Sequence, residues 1–352
     1  MDSNPTADSK PSADDTLASL THQPRTVLDR IQHLLHRYPV ISPAFVLFGS
    51  AIVFTIMGNG RFQRPETIGI ILQQTAVMAT LAVGQTLIIL TAGIDLAVGT
   101  GMLLTHLVIA KLVADQGVAP ILALLIGALV GLGLGAFHGF VVTKVRLPPF
   151  IVTLGTFYIF NSIGLVYSKA QTTSKEALGG QKSLLLFTGR QISLGSMRIT
   201  WGVIIALGLY ILVAYVLANT SWGLHVYATG DDPEAARLAG INVNRVLFSV
   251  YVVAGLIYAL GGWVQLGRSL SASSNAATDV NLETITAVVI GGTSLFGGRG
   301  RIWGTLVGAL IVTVFRIGLK LGGVDAYYQN FAIGSLILIA VALDQWIRRV
   351  GR

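Results

Sequence analysis

Ten predominantly apolar stretches, near 40–58, 67–92, 95–114, 119–142, 149–168, 201–219, 246–266, 281–296, 302–321 and 329–347, run through the chain. Most approach the roughly 20 residues with which an α-helix crosses the hydrocarbon core of a bilayer. That core holds no water to satisfy backbone N–H and C=O groups, so the spanning segments have to be helices. Charge agrees with this: only 11% of the residues are Asp, Glu, Lys or Arg, against about 25% in soluble domains. The expectation is an all-α polytopic membrane protein of about ten transmembrane helices across residues 39–348. With no cysteine in the chain, disulfides, thiolate metal sites and cysteine nucleophiles are excluded. The formal net charge of +8 does not point to nucleic acid, because a binder would cluster its Lys and Arg on a soluble face. Here they punctuate apolar segments, and topology accounts for them.

With the N-terminus inside, Lys144, Arg146, Arg237, Arg245, Arg299, Arg301 and the final "RRVGR" all fall on the cytoplasmic side, as the positive-inside rule requires. Lys169, Lys175, Lys182, Arg190 and Arg198 lie together in one long external connection and blur the contrast. Residues 1–38 are rich in Pro, Ser, Thr and Asp and lack the apolar core of a signal peptide, so they read as a cytoplasmic tail. Val27, Ile31, Leu34 and Leu35 share one helical face there, beside Arg30 and Arg37. An interfacial helix and a short solvated helix fit that pattern equally. Residues 349–352 form a cytoplasmic C-terminus on the same topology.

Helix packing is expected along glycine. Gly127, Gly131, Gly135 and Gly139 recur every four residues on the fourth segment, and Gly304 and Gly308 repeat the spacing on the ninth. Such faces let backbones approach closely. Ten spans divide into two groups of five, and an odd group implies two inverted five-helix repeats, although "GQTLIILTAGIDLAVG" and "AVVIGGTSLFGGRG" share little beyond Gly, Thr and Leu. The eighth segment is short and Gly-interrupted, and only "AGIDLAVG" separates the second from the third. Either region is a candidate for a broken or re-entrant helix.

Catalytic constellations are missing from the sequence. There is no G-x-x-x-x-G-K-[ST] loop for a nucleotide, no H-E-x-x-H metal spacing among the six histidines and no G-x-S-x-G elbow. Ionisable candidates within the spans are Asp95, Arg316, Lys320 and Asp344, each where snorkelling or capping explains it. Asp95 reads as the N-cap of "LAVGTGMLL" in preference to a gate residue. Gln74 and Gln85, three helical turns apart, point the same way from the second segment. Phe150, Thr153, Phe157 and Asn161 form one stripe on the fifth. Alternating rings and hydrogen-bonding groups suit a sugar, so Gln74, Gln85, Phe157 and Asn161 are translocation-path candidates; ordinary contacts between helices are the competing reading.

One charged stretch interrupts the oily sequence: "TGDDPEAARLAGINVNRV", Thr229 to Val246. Asp232 can cap a helix, Pro233 suits its first position, Glu234 favours its positive end and Gly240 can end it. The product is a two-turn helix in a loop at 220–245, too short to be stable alone. Glu234, Ala235, Ala236 and Gly240 stand at the E-A-A-x-x-x-G spacing, and the segment resembles the EAA motif of ABC importer permeases. "ILTAGIDLAVG" and "AVVIGGTSLFGGRG" resemble two stretches of the ribose, xylose and fructose class of monosaccharide permeases, with Ala97 where a serine is common.

The resemblance runs through most of the chain from the second segment onward, and it implies a larger machine in a bacterial cytoplasmic (inner) membrane. Its other parts would be a second permease copy, cytoplasmic ATP-binding subunits and an extracytoplasmic sugar-binding protein. This chain would bind no cofactor, with ATP and Mg on the partner ATPase. Glu234, Ala235, Ala236, Arg237 and Gly240 would form the coupling helix that enters a cleft of that ATPase. The rivals are an ion-driven secondary sugar transporter and an ABC permease for a nucleoside, autoinducer or branched-chain amino acid.

Overall fold

The computed structural model describes residues 41–180, 183–276, 280–325, 327–329, 331–335, 338–339 and 342. The tail at 1–38, Lys182, Asp344, most of the tenth apolar segment and the C-terminal "RRVGR" lie outside them. Its helices are α1 (Ile41–Met57), α2 (Pro65–Leu90), α3 (Val98–Gln116), α4 (Pro120–Phe140), α5 (Pro149–Ser168), α6 (Trp201–Asn219), α7 (Ser221–Asp231), α8 (Pro233–Leu238), α9 (Val243–Ser269), α10 (Val280–Ile290) and α11 (Ile302–Leu321). Among the described residues, seven helices are long and apolar enough to span a membrane, and the chain is an all-α polytopic membrane protein. α1 and α10, with 17 and 11 residues, are shorter apolar helices. The only sheet among the described residues is a hairpin, β1 (Gln191–Leu194) with β2 (Met197–Thr200), in the long connection between α5 and α6.

Local chemistry sets the boundaries. Proline occupies the first turn of α2, α4 and α5, where its missing N–H costs nothing and its fixed φ suits the helix. α4 runs on through a π turn, Val141–Val145, to Arg146 in the left-handed region (φ 63°). Thr91–Ala97 leaves helical geometry altogether, and α10 stops at Ile290 before the Gly-rich loop 291–301. Both candidate regions thus leave helical geometry, although α2 and α3, on either side of the first, are each continuous and long enough to span.

α2 and α3 form the centre, with 67% and 72% of their spanning windows buried, while α4 and α5, at 22% and 28%, turn most of their surface outward. Exposed Phe45 and Phe48 on α1, Tyr158 and Val166 on α5, and Ile211 and Leu212 on α6 form the apolar exterior that lipid tails tolerate. α2 packs on α9, α3 and α10 lie against α9 and α2 respectively, and α4 and α11 close on α9 and α2. The set α2–α3–α4 is thus answered by α9–α10–α11. The members of each pair run in opposite directions: α9 leaves α8 just as α2 arrives beside it at Leu90. The N-termini of α3 and α10 meet inside the bundle, where Asn281 Oδ1 accepts from Gly99 N–H (2.5 Å).

The glycine faces sit at the tightest of these contacts. A Cβ at Gly131 would meet the Gly255 carbonyl, one at Gly135 the Tyr251 carbonyl and one at Gly139 the Phe248 ring, all on α9. Gly127 is closed by Ile109 of α3; Gly304 lies on Gly291 and Gly308 on the Ala287 carbonyl. Without a hydrophobic drive between helices in lipid, such close packing carries the association.

Candidate functional site

α8 forms as its sequence dictates. The Asp232 carboxylate accepts from Glu234 and Ala235 N–H (2.9 and 3.0 Å), and Pro233 opens the helix. At the other end Gly240 N–H reaches the Arg237 carbonyl (2.9 Å) and Ile241 N–H the Ala236 carbonyl (3.0 Å). This is a Schellman motif, which requires a left-handed residue after the cap; Gly240 supplies it with φ 85°. Of the six residues only Ala236 is buried. Glu234 and Arg237 pair on the exposed side, and Leu238 is 92% exposed.

The base of the peg is locked into the two helix breaks. Gly298 N–H donates to the carbonyl of Leu90, the last residue of α2 (2.9 Å). Gly230, at the end of α7, lies against both groups, so that a Cβ there would meet the Leu90 oxygen and stand 2.7 Å from Gly298 N. Tyr227 Oη donates to the Gly300 carbonyl (3.0 Å). Burial pushes that phenol upward, with the Arg301 charge pulling the other way, which keeps it a donor. The segments 89–99, 229–246 and 287–300, far apart in sequence, thus converge at one junction.

Within the first break sits Asp95, fully buried. It is not the N-cap of α3: Ala97 holds that position, without a side-chain bond. Asp95 stands two residues earlier, where Oδ1 accepts from Ala97 N–H (2.6 Å) and Oδ2 from Tyr258 Oη (2.5 Å). His138 Nδ1 is 3.9 Å from Oδ2, and His138 Nε2 meets Thr156 Oγ1 at 2.7 Å. The carboxylate therefore joins the break to α9 and faces α4, a role its position at a helix boundary concealed.

At the end of the bundle away from α8, residues of α2, α9, α10 and α11, with Asn275 and Ala276 from the connection before α10, line a half-open polar cavity of about 200 Å³. Gln74, Gln265, Arg268, Glu283, Thr313 and Arg316 line it above an apolar floor that includes Val77, Met78 and Val312. Arg316 does not snorkel: it pairs with Glu283, whose side chain is only 12% exposed. Arg268 Nε donates to Gln265 Oε1 (3.2 Å). Counting about 1.5 Å per residue, Gln74 lies about 24 Å from Leu90, and Arg316 about 21 Å from the start of α11.

The path candidates do not come together. Gln74 lines the cavity, whereas Gln85 is fully buried in the core with neither amide atom hydrogen-bonded. Phe157 and Asn161 are half-buried on α5, which packs chiefly on α3, with Phe157 against the cluster of Leu104 and Phe160. Lys320 is exposed at the end of α11. Sequence reasoning missed Glu283, Gln265 and Arg268. The available signal was Glu283 as a lone carboxylate in "NLETITAVVIGG".

The profile of the family described as "Branched-chain amino acid transport system / permease component" matches residues 67–341. The chain belongs to this permease family. The permease is 46% identical over 334 residues to the fructose import permease protein FrcC of Rhizobium meliloti, which covers 95% of this chain and 93% of that one. It is 38% identical over 305 residues to the ribose import permease protein RbsC of Bacillus subtilis (strain 168), covering 87% and 92%. With RbsC of Escherichia coli (strain K12) the identity is 39% over 295 residues, covering 84% and 89%. No solved structure matches the permease.

Proposed function

We propose that the chain is the membrane-spanning subunit of an ATP-driven importer that carries a monosaccharide into the cytoplasm. Two copies would work with cytoplasmic ATP-binding subunits and an extracytoplasmic sugar-binding protein, in a bacterial inner membrane with both termini cytoplasmic. The observation that carries the reading is the projecting helix α8 with its base seated in both helix breaks. A partner that closes on ATP and grips α8 moves α7. Gly230 and Tyr227 then carry that displacement to Leu90 and to loop 297–300, and so to the ends of α2, α10 and α11. Those helices bound the cavity at the opposite end, so a load applied at α8 bears on the path. The names of the relatives, fructose and ribose import permeases among them, support the cargo class.

In this account the permease performs no covalent chemistry; its residues position helices and offer hydrogen bonds to a passing solute. The buried carboxylate of Asp95 and the half-buried one of Glu283 favour the rival reading, ion-coupled transport. Proteoliposomes holding the permease with its ATP-binding subunits and binding protein separate the two. Sugar uptake that requires ATP and survives a protonophore is expected. Uptake driven by an ion gradient without ATP would sink the proposal.

A further inference from the structure

Most interior hydroxyls of this bundle bond to their own helix: Thr75, Thr80, Thr143 and Thr313 each donate to the carbonyl four residues back. The cavity at the far end is different. Five long polar side chains from four helices, Gln74, Gln265, Arg268, Glu283 and Arg316, converge on one void. Gln265 is buried, Gln74, Glu283 and Arg316 are half-buried and Arg268 stands at the exposed mouth. Withdrawing polar groups from water is costly unless they are paired, and packing alone would have been served by apolar residues. Gln265, 3% exposed, is the clearest case.

We infer that this cavity is a subsite for the travelling monosaccharide, an inference that rests on the importer reading above. Its chemistry matches a neutral polyol. Guanidinium groups only donate, a carboxylate only accepts and amides do both, which is the complement of neighbouring hydroxyls. Glu283 offsets the charge of Arg316, and Arg268 is held by Gln265, so the site is not a bare cationic trap for an anion. The apolar floor of Val77, Met78 and Val312 faces the C–H side of a ring. The cavity is smaller than the roughly 300–1,000 Å³ of sites that enclose drug-sized ligands, and among the described residues no aromatic ring lines it. Both features suit brief occupancy, since a conducting site must bind weakly enough to release.

The site is also placed to feel the ATPase. α2, α10 and α11 have their opposite ends at the junction under α8, and α9 begins directly after it. The Glu283–Arg316 pair bridges α10 to α11, the two helices joined by loop 291–301. Displacing that loop changes the distance between the two charges, and sugar hydroxyls can take the place of either partner.

The test uses the complete transporter in proteoliposomes, with D-fructose, D-ribose, D-galactose and D-allose as probes. Gln74→Ala and Glu283→Gln should each raise the transport KM about tenfold, the loss of one charge-assisted or well-placed hydrogen bond, with ATP hydrolysis and thermal unfolding near wild type. The exchange Glu283→Arg with Arg316→Glu separates binding from mere structure. It should keep thermal unfolding near wild type, because the ion pair is re-formed with its partners swapped, but leave KM raised and the preference among the four sugars altered. Unchanged KM in Gln74→Ala and Glu283→Gln, or full rescue of transport by the exchange, would overturn the subsite and leave the importer reading standing. A wild-type transporter that moves none of the four sugars with ATP would overturn both.

Discussion

Replacing Gly230 by alanine adds one methyl group at the junction under α8, and the geometry says what that methyl meets. It lands on the Leu90 carbonyl oxygen and 2.7 Å from the Gly298 nitrogen, between the donor and acceptor of a 2.9 Å hydrogen bond. α7 has little room to retreat, because Val226 is fully buried and Tyr227 is tied to Gly300. Overpacking costs about 1–3 kcal/mol, and parting two buried backbone groups costs about 1–3 kcal/mol more. Total stabilities are about 5–15 kcal/mol, so the variant folds, with α7 displaced from both breaks. The assay is uptake per ATP hydrolysed in proteoliposomes. Gly230→Ala should keep hydrolysis while uptake per ATP falls about tenfold, the effect of roughly 1.4 kcal/mol at the coupling step. Gly133→Ala, where a Cβ meets nothing within 4 Å, is the control. Wild-type uptake per ATP in Gly230→Ala would refute the junction as the transmission point.

The caps of α8 give a second outcome: Asp232→Ala costs about 0.5–2 kcal/mol and Gly240→Ala about 1–2 kcal/mol at φ 85°. Hydrogen exchange at amides 234–241 should accelerate and affinity for the ATP-binding subunit should drop, while thermal unfolding of the spans stays put. Asp95→Ala strands the Tyr258 hydroxyl and the Ala97 N–H, at about 1–3 kcal/mol each. The unfolding temperature in detergent should fall clearly, with Asp95→Asn recovering part of it because the amide oxygen still accepts. Gly131→Leu should destabilise by about 1–3 kcal/mol or more by forcing α4 from α9; Gly133→Leu, two residues away on the open face, should leave the same melting curve unmoved.

How much of this was legible in the sequence depends on how local each feature is. α8 was readable residue by residue, because capping by Asp232, the opening proline and the left-handed Gly240 are decided within ten positions. The long spans followed from apolar length, and the two breaks from "AGIDLAVG" and the glycines after Ile290. Asp95 was misread because the turn to Ala97 looks like a cap locally, whereas its decisive partner, Tyr258, is 163 residues away. The cavity was out of reach for the same reason. Gln74, Arg268, Glu283 and Arg316 come from four helices, and nothing in their spacing says that they converge. Arg316 looked like a snorkelling side chain until Glu283 appeared opposite it.

The central claim is that α8 is gripped by another subunit. The chain contains no cysteine, so Leu238→Cys places a single spin label on the apolar tip of the peg. In the isolated permease that label should be mobile and water-accessible, as the 92% exposure of Leu238 requires. On assembly with the ATP-binding subunits it should become immobilised and protected, and shift again when ATP binds. A label equally mobile in the isolated and assembled states, in a complex that transports normally, would contradict the account.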